Sequence, residues 1–137
     1  MGLTKDDRTA LVEYRLKKAK DTFAEISILT ENKLWRNAAN RLYYACFYAA
    51  SALLIKDGHQ THSHNGVKSL LSMNYIKENK IDKGLIKLYG QLFNIRQRGD
   101  YEDWVIIEEE DINPLIEPAG KFIDEIEKLI ETKVIVA

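Results

Sequence analysis

Residues 1–113 contain no proline, and the two prolines of the chain, Pro114 and Pro118, lie close together. Proline is the residue that most strongly interrupts an α-helix, so almost the whole chain is free to be helical. In five segments, apolar residues recur at the three- and four-residue spacing of a helix face. These predicted helices cover about residues 5–29, 34–56, 64–78, 82–98 and 114–132. Their short connections predict an all-α, up-and-down bundle of four to five helices.

Local signals set the expected helix ends. Thr4, which is followed by acidic residues, predicts an N-cap for the first helix. Gly58 and Gly99 predict the ends of the second and fourth helices, and Pro114 predicts the start of the fifth. We expect Asp100 to close a tight turn after the fourth helix and to accept a hydrogen bond from an arginine.

Length and composition fit a single domain. The chain has 137 residues, of which 45% are hydrophobic and 30% are charged, as in an ordinary globular domain. We expect its core to cover about residues 5–132 and residues 133–137 to form a tail. The N-terminal region is charged and lacks the pattern of a signal peptide. The longest apolar stretch, about residues 42–55, is too short to span a bilayer, so we expect a cytoplasmic protein without membrane contact.

A net charge of −1 creates no overall positive field, so binding to RNA would require a local basic patch. Arg41, Tyr44 and Tyr48 are spaced to share one helix face that differs from the apolar face. A guanidinium beside phenol rings can bind a phosphate and stack on a base. The alternative is that the tyrosines fill the bundle and that Arg41 pairs with a carboxylate.

A second basic group lies near the predicted end of the fourth helix, where Arg96 and Arg98 precede Asp100 and Tyr101. Cations at a helix C-terminus interact favourably with the helix dipole, and this explains one of the two arginines. A turn does not require the second arginine. The segment is therefore also a candidate binding site.

Three histidines, His59, His62 and His64, lie close together. No pair of metal ligands at helical spacing accompanies them, so a capping or solvent-exposed His64 is a better interpretation than a metal ligand. Cys46 is the only cysteine and is interpreted as a small core residue. A phosphate-binding glycine loop is also missing. We expect neither a metal nor a cofactor.

Three segments, in this order, resemble the HEPN domain family, named for higher eukaryote and prokaryote nucleotide binding, and in particular its small stand-alone prokaryotic branch. They are NRLYYACFYAA at residues 40–50, SHNGV at 63–67 and RQRGDY at 96–101. The resemblance spans about residues 5–130. It implies a helical bundle that commonly forms a homodimer. It also implies a minimal nucleotidyltransferase as the partner in a toxin–antitoxin pair.

Active members of this family are metal-independent ribonucleases. Their motif is an arginine followed, after four to six residues, by a histidine at the end of the helix equivalent to the fourth helix here. The arginine steadies the phosphate, and the histidine assists attack of the 2′-hydroxyl. Arg96 can stand for the arginine, but the expected histidine positions hold Tyr101, Glu102 and Asp103, and no histidine follows His64. The imidazole that titrates near neutral pH is therefore missing from the motif.

Two functions from different classes remain open. The first, which we favour, is a binding and interaction module for a protein partner, a nucleotide or RNA. Its groove would contain Arg41, Tyr44, Arg96, Arg98, Asp100 and Tyr101. The second is a metal-independent endoribonuclease toxin in which Arg96 and Arg98 stabilise the phosphate. In that case Tyr101, or His64 from another helix, would replace the missing histidine.

A third hypothesis is a bundle whose apolar surface mainly serves assembly. Trp35 and Trp104 are the two tryptophans of the chain, and large aromatic side chains often anchor interfaces. Each of them could equally be part of the core.

Overall fold

The computed structural model describes residues 4–59 and 63–136, with side chains up to residue 131. These residues form α-helices and one π-helical turn, without a strand. In chain order the elements are α1 (Lys5–Ala24), α2 (Ile26–Glu31), α3 (Trp35–Lys56), α4 (His64–Leu71), the π turn (Ser72–Ile76), α5 (Lys83–Tyr101) and α6 (Glu109–Val136). The prediction of an all-α bundle is confirmed. None of the described helices combines the length and the apolar character needed to cross a membrane.

The central helix of the bundle is α3, and α1, α5 and α6 pack against it. Six of its alanines are completely buried: Ala38, Ala39, Ala45, Ala49, Ala50 and Ala52. Because their side chains are small, the neighbouring helices can approach α3 closely. Larger residues such as Leu42, Leu92 and Phe122 fill the remaining space and are also completely buried. Burial of each of these larger side chains stabilises the fold by about 1.5–3 kcal/mol.

The first predicted helix is interrupted at Glu25, so the expectation of one continuous helix is wrong. The backbone N–H of Glu25 donates to the carbonyl of Thr22, three residues earlier, at 3.1 Å. Such a bond tightens the last helical turn. The chain resumes as α2 at Ile26, which is only 2% exposed and belongs to the core. The predicted cap is present, since the Thr4 hydroxyl accepts from the N–H of Asp7 at 3.0 Å.

The third predicted helix divides into α4 and the π turn. Ser63 is the N-cap of α4, and its hydroxyl accepts from the N–H of Gly66 at 2.9 Å. Tyr75 of the π turn is buried, and its hydroxyl donates to the carboxylate of Asp57. A π turn widens the helix and changes the direction of its side chains. Here it accompanies the burial of a large tyrosine.

Helix α5 continues through Gly99 and Asp100, so the predicted helix end and the predicted tight turn are both wrong. A Cβ atom at position 99 would lie 2.7 Å from Cδ1 of Ile107 and 3.4 Å from Cγ of Arg36. Arg36 also donates hydrogen bonds to the carbonyls of Gly99 and Val105. The glycine therefore allows close packing against the loop that follows α5, and it does not end the helix.

Helix α6 begins at Glu109, before the predicted start at Pro114. The N–H of Glu108 donates to the carboxylate of Asp111 at 2.9 Å, as in one half of a capping box. The acidic residues of the first turn also interact favourably with the helix dipole. These signals start the helix ahead of the proline.

Both prolines lie inside α6, where each lacks the N–H that would bond to the preceding turn. Phe122 and Ile126 further along the helix are completely buried, and their packing offsets this loss. The helix also continues to Val136, so the backbone of residues 133–136 is helical and does not form the predicted tail. No glycine or proline in residues 133–136 interrupts it.

Candidate functional site

Arg96 of α5 is a buried arginine enclosed by aromatic rings, and it is only 9% exposed. Its guanidinium carbon lies 5.0 Å from the ring centroid of Tyr43 and 5.3 Å from that of Phe93. The corresponding distances to Tyr44 and Tyr101 are 5.4 and 5.8 Å. We call these four rings the aromatic cage. Contacts between a cation and such rings are strongest where water is excluded, so the cage stabilises a charge inside the fold.

The hydrogen bonds of Arg96 are incomplete. Its Nη1 lies 3.6 Å from Oδ2 of Asp100, one helical turn later, which is an ion pair but too long for a good hydrogen bond. Its Nε is buried and has no hydrogen-bond partner among the residues that the structure describes. A buried charge is costly unless it is well paired, and buried polar atoms without a partner are uncommon in folded proteins. The Nε–H of Arg96 therefore remains without an acceptor among these residues.

A chain of polar contacts links Arg96 to Arg41 on α3. Oδ2 of Asp100 also accepts from Nδ2 of Asn40 at 3.0 Å. The amide oxygen of Asn40, Oδ1, accepts hydrogen bonds from Nε and Nη2 of Arg41 at 3.1 and 2.7 Å. The ring of Tyr44 lies within 5.6 Å of the Arg41 guanidinium carbon as well as near Arg96. The two arginines therefore share one tyrosine ring and are linked through Asn40 and Asp100.

Within the described part of the chain, no ion pair joins Arg41 to a carboxylate, and its guanidinium donates to the amide oxygen of Asn40. A shallow cleft of about 290 Å³ opens beside it. The cleft is lined by Glu25, Leu29, Asn37, Asn40, Arg41 and Asp100. The polar chain between the two arginines thus reaches the protein surface at this cleft.

His64, at the first position of α4, lies against the same aromatic cluster. Its imidazole stacks on the ring of Phe93 with centroids 3.8 Å apart and on that of Tyr89 at 4.9 Å. The ring of Tyr43 is 5.9 Å away. Nδ1 of His64 is buried and finds no hydrogen-bond partner within the described part of the chain. The sequence-based prediction that His64 caps the helix or is exposed to solvent is wrong. Ser63 is the cap of α4, and the imidazole of His64 is stacked on the ring of Phe93.

Burial lowers the pKa of His64 from 6.5 to about 4, and the positive charges of Lys68 and Arg96 act in the same direction. The imidazole is therefore neutral at neutral pH. The residue as a whole is half-buried. Folding thus brings a neutral imidazole near a buried guanidinium.

The other predicted site residues lie further from this centre. The side chain of Arg98 is 60% exposed, with its Nε 3.9 Å from the carboxylate of Glu102. Two successive steps along a helix rotate a side chain by about 200°, so Arg98 points away from Arg96. Tyr101 lies at the rim of the cage and is 69% exposed. The ring of Tyr48 is 5.9 Å from that of Tyr44 on the same face of α3.

Sequence reasoning did not identify several residues that shape the site. Asn40 connects Arg41 with Asp100, and its position one turn before Tyr44 was the available signal. Phe93 lies one turn before Arg96, which is also a helical neighbour spacing. The stacking of His64 on Phe93 had no comparable signal, because the two residues belong to different helices.

Residues 4–59 and 63–131 are those whose side chains the structure describes. In these residues, no three His, Cys, Asp or Glu side chains are arranged to hold a metal ion. His62 lies outside the described residues. Cys46 is completely buried, and burial raises the pKa of its thiol well above the usual range, as expected of a core residue.

A second surface feature is apolar. Trp104 is 87% exposed and Ile106 is 77% exposed, and Leu34 is 46% exposed nearby. They line a cleft of about 550 Å³ that also includes Trp35. Trp35 packs partly against the core, whereas Trp104 projects into solvent. Large exposed aromatic side chains of this kind are typical of interaction surfaces.

The HEPN domain family matches residues 12–129 of the chain. A UPF0332 protein of Thermotoga maritima is 36% identical over 126 residues, which cover 92% of this chain and 96% of the relative. A protein of Methanocaldococcus jannaschii that is named as a candidate toxin is 33% identical over 132 residues, covering 94% and 95% of the two chains. A second candidate toxin of that organism is 26% identical over 122 residues, covering 89% and 83%. The family match covers most of the chain and agrees with the all-α fold, and the chain therefore belongs to the HEPN domain family.

Proposed function

We propose that this chain is the HEPN module of a toxin–antitoxin pair and that it binds a nucleotide or RNA through Arg41, Tyr44 and Arg96. The observation that carries the proposal is the state of Arg96. This cation is buried, has one long ion pair, and has an Nε without a partner in the described residues. The names of two relatives as candidate toxins support the toxin–antitoxin context.

The chemistry of Arg41, Tyr44 and Arg96 suits a phosphate attached to a base. Phosphate oxygens would accept hydrogen bonds from the guanidinium groups of Arg96 and Arg41, in the bidentate geometry that arginine favours. A base would stack on Tyr44 or on the exposed ring of Tyr101. Asn40, which donates a hydrogen bond to Asp100, would orient the guanidinium of Arg41.

The proposal includes a minimal nucleotidyltransferase as the protein partner, a homodimer of this chain, and a cytoplasmic location. The exposed side chains of Trp104 and Ile106 support a protein interface, because aromatic residues anchor many such surfaces. Co-expression with a minimal nucleotidyltransferase from the same genome, followed by size-exclusion chromatography with light scattering, tests both assemblies. Elution of each protein alone, with this chain as a monomer, would contradict them.

The binding claim is tested by fluorescence anisotropy with a labelled single-stranded RNA and with a labelled nucleotide. Arg96→Gln should weaken binding by about 10- to 100-fold, because hydrogen bonds to a charged group contribute about 1.5–3 kcal/mol. Arg98→Gln is the matched control, since it removes an exposed arginine of the same helix. Equal effects of the two substitutions, or no binding of either probe by the wild type, would refute the proposal.

A further inference from the structure

Beyond Tyr44, a row of alternating rings and cations continues along the surface where α3 packs against α1. The ring of Tyr48 lies 5.9 Å from that of Tyr44. Nζ of Lys18 on α1 lies 4.7 Å from the ring centroid of Tyr48 and 5.8 Å from that of Tyr14. We call the whole row the surface track, and it comprises Tyr101, Arg96, Tyr44, Tyr48, Lys18 and Tyr14.

The surface track advances in one direction along the bundle. Arg15 of α1 donates to the hydroxyl of Ser51 at 3.3 Å, whereas Lys18 contacts Tyr48. Later residues of α1 therefore lie beside earlier residues of α3, so the two helices run antiparallel. A step of one turn towards the C-terminus of α3 and a step of one turn towards the N-terminus of α1 then have the same direction. The track extends along the surface and does not turn back on itself.

The cations at the α1 end of the track have no acidic partner. Among residues 4–59 and 63–131, no carboxylate forms an ion pair with Arg15 or Lys18. Lys17 and Lys20 of the same helix, in contrast, are each paired with a carboxylate. The chain as a whole has a net charge of −1, so this unpaired positive charge is a local feature. It attracts an anionic ligand to the track.

We propose that the surface track binds single-stranded RNA, so that the ligand is a strand of several nucleotides. The inference rests on the nucleotide or RNA binding proposed above, and it selects between those two ligands. Tyr14 and Tyr101 at the two ends are 57% and 69% exposed, so a base can stack on either ring. Lys18 lies between Tyr14 and Tyr48, where it would contact a phosphate of the strand.

The spacing of the rings favours a single strand over a duplex. The rings of Tyr44 and Tyr48 are 5.9 Å apart and inclined by 33°, whereas the charges of a duplex strand follow one another at about 3.4 Å along the axis. The bases of a duplex also cover each other and cannot stack on side chains. A single strand can separate its bases and place them on aromatic rings.

The two ends of the track differ in charge. Glu25 and Asp100 line the cleft beside Arg41, and their negative charges oppose a phosphate there. The opposite end, at Lys18, has no paired carboxylate among the described residues. We therefore expect a strand that is long enough to reach Lys18 to bind more tightly than a single nucleotide.

The experiment measures affinity as a function of strand length. Fluorescence anisotropy is recorded with labelled uridylates that range from a mononucleotide to about eight nucleotides, a length within the usual site sizes for single strands. The affinity of the wild type should rise by about tenfold or more over this range, because each further stacked base contributes to binding.

Lys18→Gln should weaken binding of the longest strand by about threefold to tenfold and reduce the slope of log affinity against log salt by about 0.7, as expected for one lost phosphate contact on a single strand. Lys18→Arg should keep both properties, because the charge remains. The control Lys87→Gln makes the same change of net charge at an exposed lysine on the opposite side of α5 from Arg96, and it should bind like the wild type.

A second variant tests the stacking. Tyr14→Leu removes an exposed ring and should weaken binding of the longest strand by about tenfold, whereas a mononucleotide is too short to reach this position from Tyr44. Equal affinity of the wild type for all lengths would overturn this inference and leave nucleotide binding intact. Equal effects of Lys18→Gln and Lys87→Gln would also overturn it. Lost self-association of Tyr14→Leu with unchanged affinity for the strand would overturn it in favour of a protein interface. Failure of the wild type to bind any uridylate would overturn both proposals.

Discussion

The imidazole of His64 stacks almost flat on the ring of Phe93, with an angle of 13° between the two planes. Phe93 belongs to α5, and the same ring faces the guanidinium of Arg96. A protonated imidazole at this place would stand next to an existing positive charge in partly buried surroundings. The stacked arrangement therefore favours the neutral form of His64.

The first prediction concerns stability and pH. The pKa of His64 falls from 6.5 to about 4 on folding, so between these values the unfolded chain binds more protons than the folded chain. The free energy of unfolding should therefore decrease as the pH falls from about 6.5 towards 4. The full shift would correspond to about 3 kcal/mol. Because the ring is partly exposed and screened by solvent, we expect a loss of about 1–2 kcal/mol.

Urea unfolding at several pH values in this range measures the effect. His64→Gln is the reference, because glutamine does not titrate and the variant should lose this part of the pH dependence. Identical pH profiles for the wild type and the variant would show that protonation of His64 does not oppose folding.

The second prediction concerns Asp100, whose carboxylate faces Arg96 where a phosphate would bind. Asp100→Asn removes a negative charge that repels phosphate and keeps an oxygen that can accept from Asn40. The affinity for labelled RNA should rise by about threefold to tenfold, which is about 0.7–1.4 kcal/mol. Glu102→Gln, an exposed acid of the same segment, is the control. Reduced affinity of Asp100→Asn would contradict the prediction and indicate that the carboxylate holds Arg96 in place.

The third prediction concerns the start of α6. Asp111→Ala removes the acceptor for the N–H of Glu108 and should lower the free energy of unfolding by about 1 kcal/mol, as is typical for loss of a helix cap. Glu110→Ala changes an exposed acid of the same first turn and should have a smaller effect. If the helix began at Pro114, the two substitutions would be equivalent in urea unfolding.

The fourth prediction concerns the exposed tryptophan. Trp104 is 87% exposed, so Trp104→Ala should hardly change the melting temperature. If it anchors the nucleotidyltransferase, the substitution should weaken the complex by about 2 kcal/mol or more. Calorimetric titration measures this loss, and Met73→Ala, which alters an exposed residue of the π turn, is the control. Unchanged affinity of Trp104→Ala would exclude Trp104 as the anchor of that complex.

Much of the architecture follows from local patterns in the sequence. The helical spacing of Arg41, Tyr44 and Tyr48 predicted a shared face, and in the structure the rings of Tyr44 and Tyr48 lie 5.9 Å apart there. Gly99 was misleading because glycine both ends helices and permits close packing, and only the position of Ile107 distinguishes these uses. The start of α6 was misplaced because a proline is a stronger local signal than an aspartate, whereas the cap contact of Asp111 decides the start.

The centre of the candidate site depends on tertiary packing. Arg96 could be selected from its place near a helix end, but its burial depends on rings from two helices. His64 lies far from Arg96 along the chain, and no periodicity relates a residue of α4 to one of α5. The proximity of the two side chains is a product of how α3, α4 and α5 pack around Tyr43 and Phe93.

Helix α4 has only 8 residues, and helices this short are marginal without tertiary support. His64 lies in its first turn, whereas Arg96 and its cage belong to α3 and α5. Local opening of α4 would therefore withdraw the imidazole and leave the guanidinium in position. Amide hydrogens of α4 should then exchange with solvent faster than those of the central α3. The fraction of molecules that present both groups at once is set by this local equilibrium and not by the global unfolding of the bundle.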